Sequence, residues 1–150
     1  MHAPALTAIR PDQTILVLEA GNQRVQAFSR GGHPVLAFGE QSSFPLVSHA
    51  SGDVNVVYLS MTVDVANYTY VLSQNGNGYE AAQFNLDVYT PTGEPLFYRQ
   101  GLVVAGGMVV DLWRNLYALN FQQIAGPGGR PEPSISEWIP STPKRATATP

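Results

Sequence analysis

The chain has 150 residues, 44% hydrophobic and only 13% charged, and its 8 basic and 11 acidic side chains give a formal net charge of −3. That is enough apolar material for one domain with a real core, and too little positive charge to attract a polyphosphate. Cysteine is absent, which excludes disulfides, thiolate zinc sites and a cysteine nucleophile.

Taken in chain order, the first dozen residues hold no basic segment followed by an apolar one, so no signal peptide is visible and the compartment stays open. The run Ile9-Arg-Pro-Asp-Gln-Thr-Ile-Leu-Val-Leu18 reads as a strand end, a polar turn and an apolar second strand. Val25 to Phe28 is a third strand, Ser29-Arg-Gly-Gly-His-Pro34 a turn, and Val35 to Phe38 a short fourth strand ending at Gly39. His49-Ala-Ser-Gly-Asp53 is a polar loop; a catalytic triad is assembled in space, so this adjacency means little.

The same series then repeats. Val63-Asp-Val-Ala-Asn-Tyr-Thr-Tyr-Val-Leu72 aligns without gaps on the first run, 54 residues later, and Val110-Asp-Leu-Trp-Arg-Asn-Leu-Tyr-Ala-Leu119 aligns after a further 47. Leu86 to Tyr89 and, more weakly, Ile135 to Trp138 repeat the third strand. Thr90-Pro-Thr-Gly-Glu-Pro95 repeats the turn, and Leu96 to Tyr98 the fourth strand, ending at Gly101. In the third strand Phe84, Leu86 and Val88 point one way, Asn85 and Asp87 the other. The longest apolar run, Leu102 to Val110, is nine residues and contains Gly106 and Gly107, about half of what a membrane-spanning helix needs. Residues 141–150 lack any large apolar side chain and read as a disordered tail or linker.

Four short antiparallel strands per period of about 40 to 50 residues is the signature of a β-propeller blade. The expected fold is therefore all-β: a partial β-propeller over residues 1–140, with repeats at about 5–39, 55–101 and 105–140, the last without its fourth strand. An immunoglobulin-like sandwich also has short strands and regular turns, but does not require one motif to recur inside a domain.

Leu16-Val-Leu-Glu-Ala-Gly-Asn-Gln-Arg-Val-Gln-Ala-Phe28 resembles an NHL repeat: an apolar strand, an acidic residue, a small residue, Asn, then Arg-Val-Gln and an aromatic. The lead-in Ala8-Ile-Arg-Pro-Asp-Gln-Thr-Ile15 is similar to that family's V-D-P-x-G-x-I, with Arg10 in place of the Asp that Asp64 and Asp111 supply in the later copies. The second and third copies lack the Asn-x-Arg after their second strand, so the motif is specific only over about 8–39. What the resemblance implies is a six-bladed propeller that binds proteins, glycans or, in some members, single-stranded RNA. Eight basic residues cannot build the face that RNA needs. Some six-bladed relatives are metal-dependent lactonases and lyases, whose central cation takes acidic and amide ligands from several blades; such a site would be incomplete here. Arg24 is expected to tie neighbouring blades by hydrogen bonds to backbone carbonyls.

Three repeats cannot close a six-bladed ring, which requires about 250 to 300 residues at this period. The chain is expected to be a fragment of a longer protein, whose remaining blades complete the ring, or else to pair with a second copy. As an interaction or scaffold module it is expected to be non-catalytic, to need no cofactor and to bind a protein or glycan. Asp64 and Asp111 could serve as metal ligands, but the expected role is to accept backbone N–H groups in the turn that follows. No H-E-x-x-H or G-x-S-x-G is present, and neither the Gly76/Gly78 pair nor Gly126 to Gly129 completes a nucleotide motif. The long connections Ser73 to Gln83 and Asn120 to Pro133 lie on the rim of the blade-to-blade crossings. Tyr79, Glu80, Phe121 and Arg130 there are the candidate binding residues. Trp113, Tyr117 and Trp138 could stack on a sugar, but they recur at positions expected to be core.

Overall fold

In the computed structural model, residues 3–48, 55–75, 83–102, 107–122 and 132–138 are described, with side chains described over 3–48, 55–75, 84–100 and 107–118. The first sheet joins β1 (Pro4–Ile9), β2 (Ile15–Glu19), β3 (Arg24–Phe28) and β4 (Ser43–Pro45). The second joins β5 (Val56–Val63), β6 (Thr69–Asn75), β7 (Gln83–Tyr89) and β8 (Pro95–Leu102). The third joins β9 (Met108–Val110), β10 (Leu116–Gln122) and β11 (Glu132–Trp138). Every neighbour is antiparallel and next in sequence, so each sheet is an open meander. Among the described residues no α-helix occurs; one 3-10 turn, Ala20–Asn22, links β2 to β3.

Five hairpin turns share one backbone template. The N–H of its first residue bonds the carbonyl of its fifth, and the N–H of its fourth bonds the carbonyl of its first. This holds for Arg10–Thr14, Ser29–His33, Asp64–Tyr68, Thr90–Glu94 and Asp111–Asn115, at 2.8 to 3.1 Å. The fourth position is left-handed in each: Gln13 (φ 72°), Gly32 (78°), Asn67 (67°), Gly93 (85°) and Arg114 (71°). A type I turn closed by a left-handed residue is a favoured three-residue hairpin loop, because it follows the twist of its strands. The alignment of residues 9–18, 63–72 and 110–119 is therefore a structural equivalence, down to the turn hydrogen bonds.

The sheets stack in chain order, with β5 lying against both β1 and β9. Alternation decides which face goes where. Leu6, Ala8, Leu16, Leu18, Val25 and Ala27 of the first sheet pack against Met61, Val63, Val71 and Tyr89 of the second. On the opposite face of the second sheet, Leu59, Tyr70, Leu72, Leu86 and Val88 pack against Met108, Val110, Leu116 and Ala118 of the third. The second sheet is thus covered on both faces, and even the polar side of β7 is buried, with Asn85 0% and Asp87 6% exposed. Each sheet passes the same face forward to the next.

One strand differs from expectation. Residues 35–38 do not form the fourth strand of the first sheet; 43–45 does. The N–H of Ala27 bonds Ser42, so β3 takes its ladder partner from the later segment, while Val35 adds a single bond to the Ala27 carbonyl. Phe38 then turns back at Gly39 (φ 65°) and packs edge-on against Phe44, with ring centroids 4.7 Å apart. Burying two aromatic rings outweighs a regular edge strand here. In the second sheet, where no such pair intervenes, the fourth strand expected over Leu96 to Tyr98 does form, running from Pro95 to Leu102.

Candidate functional site

Two edges of the stack collect polar side chains. At the edge formed by the first-to-second-strand turns stand Arg10, Asp64 and Asp111, each at the first position of its turn. Asp64 is 1% exposed. Its Oδ1 accepts the N–H groups of Ala66 and Tyr68, both at 2.9 Å. Its Oδ2 accepts the Tyr70 hydroxyl at 3.1 Å and Arg114 Nε, from the third sheet, at 2.7 Å. The Arg114 guanidinium lies 4.5 Å from the centre of the Tyr68 ring. Asp111 repeats three of these four contacts: Oδ1 accepts Trp113 and Asn115 N–H, and Oδ2 accepts the Tyr117 hydroxyl and, in place of a guanidinium, Asn115 Nδ2. Partial burial would raise its pKa, but the hydrogen bonds led by the Asn115 N–H outweigh this and hold it below the ordinary value. Both aspartates accept backbone N–H groups in the turn, as the sequence predicts.

Arg10 solves the same position with opposite charge. It is 5% exposed and donates to the Ala37 carbonyl and, at 3.0 Å, to the Pro91 carbonyl in the second sheet. It also lies over the Phe38 ring, 4.6 Å from its centre. Burial lowers its pKa, and Asp12 nearby works against that. Beside it, Arg10, Thr14, Ser29, Arg30 and Leu36 line an open groove of about 440 Å³.

At the edge carrying the second-to-third-strand connections, Glu19 is 0% exposed. Its Oε2 accepts Asn22 Nδ2 at 2.9 Å and Arg24 Nε at 2.6 Å, and Arg24 also donates to Gln26 Oε1 at 2.6 Å. The Asn22 hydrogen bond, followed by Arg24, outweighs desolvation and brings the Glu19 pKa from 4.5 to about 2. Arg24 roofs this carboxylate within its own sheet, rather than tying neighbouring sheets through their carbonyls. The reason is proximity: Glu19 and Arg24 are cross-strand partners in the β2–β3 ladder.

Of the candidate rim residues, Tyr79, Glu80 and Arg130 lie outside the described residues, as do His2 and the 49–53 loop. Phe121 has its backbone in β10, opposite Pro133. The two long connections are shorter than the apolar pattern predicts, because the ladders run on through polar residues: β6 reaches Asn75 and β10 reaches Gln122. Ser73 and Asn75 are buried, so polarity there marks an interior position and not a loop. Trp113 is 80% exposed at the tip of its turn, not in the core as its recurrence predicts. Its equivalents, Asp12 and Ala66, show that this is a turn position in every copy. Sequence reasoning missed Arg114, whose signal was its place at the fourth turn position facing an aspartate one repeat earlier.

Among the described residues no three His, Asp or Glu side chains converge as metal ligands. No helix of the described residues is long and apolar enough to cross a membrane. No protein-family model matches the chain, and no curated protein matches it. A solved structure similar to it is that of a protein of unknown function from Bacteroides caccae, at 1.35 Å resolution. The two are 10% identical with a TM-score of 0.48, over 80% of this chain and 39% of that one. The chain thus spans well under two thirds of that structure's length.

Proposed function

We propose that the chain is a run of NHL-like β-propeller blades, part of a six-bladed ring, serving as a rigid and non-catalytic interaction module. The observation that supports this is directional stacking: two successive joints use the same faces, in the same order, with first strands adjoining. A ring of blades requires that every sheet pass one face forward and receive the other. Three sheets are half of such a ring, and the other blades come from a longer form of the same protein or a second copy. On this reading the rim that carries Tyr79, Glu80, Phe121 and Arg130 meets a protein or glycan ligand.

The test is a binding screen of the purified chain against protein and glycan arrays, repeated with those four residues changed to alanine. The proposal expects a specific ligand whose affinity falls about tenfold or more in the variant, with melting unchanged. Equal binding by the variant contradicts the rim assignment. A melting temperature raised by several degrees in millimolar calcium or zinc contradicts the metal-free scaffold and favours a metal-dependent propeller enzyme.

A further inference from the structure

The joint between the second and third sheets is closed by a pair of turn residues. The first turn position of the second sheet meets the fourth turn position of the third. Between the second and third sheets this pair is Asp64 and Arg114, joined at 2.7 Å. Between the first and second sheets the corresponding residues are Arg10 and Asn67: the cation has moved to the other side, and the fourth position has become neutral. These two do not bond each other: Arg10 donates to the Ala37 and Pro91 carbonyls instead, and Arg10 Nε and Asn67 Oδ1 are both buried without a hydrogen-bond partner.

The forward face of the third sheet repeats the forward face of the second, but none of the described residues covers it. Val109 and Tyr117 pair across β9 and β10 as Thr62 and Tyr70 pair across β5 and β6. Thr62 is half-buried and Tyr70 2% exposed, whereas Val109 is 62% exposed and Tyr117 only half-buried. Asp111 there holds a turn and a tyrosine hydroxyl, as Asp64 does, and has an amide donor, Asn115 Nδ2, in place of the guanidinium. From this geometry we infer that the forward face of the third sheet is a docking face for another sheet whose first hairpin carries arginine at the fourth turn position, delivering its guanidinium to Asp111. The inference rests on the stacked-blade reading and specifies the partner of its open end. A second wild-type copy is a poorer occupant, because the fourth position of its own leading turn is Gln13, an exposed neutral residue.

The chain supplies its own probe. Gln13 has φ 72° and Arg114 has φ 71° at the matching position, so Gln13→Arg places an arginine in a conformation that arginine already adopts here. Sedimentation equilibrium would compare the wild type, Gln13→Arg, and Gln13→Arg combined with Asp111→Asn. The expected result is head-to-tail association of Gln13→Arg about tenfold tighter than wild type, weakened by raised salt and reversed by Asp111→Asn. Association of Gln13→Arg no tighter than wild type, or unaffected by Asp111→Asn, overturns the inference. So does tight wild-type association insensitive to Asp111→Asn, which would make a second copy the occupant without any guanidinium. Melting of Asp64→Asn, measured alongside, separates the two levels. If that variant is destabilised while Gln13→Arg is silent, only the docking inference fails; if Asp64→Asn melts like wild type, the stacked-blade reading fails with it.

Discussion

The joint between the first and second sheets and the joint between the second and third hold the same faces together by different means. The first is thick and aromatic: Phe38, Phe44 and Tyr89 form a continuous stack, with Phe44 and Tyr89 centroids 4.8 Å apart. The Tyr89 hydroxyl accepts the Val47 N–H at 3.0 Å, and Phe44 sits so close over Gly93 that a Cβ there would come within 2.6 Å of it. Among the described residues, the second joint buries fewer apolar side chains and adds polar links. Ser60 Oγ accepts the Met108 N–H at 3.1 Å, and Asp64 takes Arg114. At the first joint a cation, Arg10, is buried against two carbonyls and the face of the Phe38 ring. Among the described residues of the second joint, a carboxylate, Asp64, holds the cation instead.

This contrast predicts a graded set of effects. Phe44→Ala should be the most damaging single change, costing about 3 to 5 kcal/mol, because it empties the centre of the aromatic stack and uncovers Gly93. Urea unfolding would measure it, and a loss below about 1 kcal/mol would mean that the first joint does not depend on that ring. Asp64→Asn should cost less, about 1.5 to 3 kcal/mol. It weakens charged hydrogen bonds at a buried site, but the Arg114 side chain is 44% exposed and solvent screens part of the loss. Glu19→Gln should have the smallest effect near neutral pH, about 1 kcal/mol, and its more telling signature is in acid. A carboxylate whose pKa is lowered on folding from 4.5 to about 2 contributes fully above pH 4.5, and that contribution is lost as pH falls through about 2. Melting temperatures across that window should therefore decline less steeply in Glu19→Gln than in the wild type; parallel curves would contradict the buried cluster.

Much of the fold was legible because the same physical demand recurs in each copy. A five-residue turn with an acceptor at its head leaves Asp64 and Asp111, or Ser29 and Thr90, at fixed spacing, and the strands on either side are apolar because both faces of a sheet are covered. The irregular return through Phe38 and Gly39 was not legible. Its choice over a regular strand depends on Phe44, which lies beyond the repeat as the sequence delimits it. Polar strand ends such as Ser73 and Asn75 read as loop for a similar reason: what buries them is the neighbouring sheet, not the local pattern. The candidate site was legible only in part. The turn aspartates carry their own signal in the residues that follow them, whereas Arg114 acquires its partner 50 residues away, through a joint that no single repeat contains.

The claim on which the account turns is that neighbouring sheets meet through their turn positions, and the Asp64–Arg114 pair is where this can be measured most directly. A double-mutant cycle with Asp64→Asn and Arg114→Met, read by urea unfolding, should give a coupling energy of about 0.5 to 1.5 kcal/mol. Strict additivity, within about 0.3 kcal/mol, would mean that the two side chains do not meet across the joint.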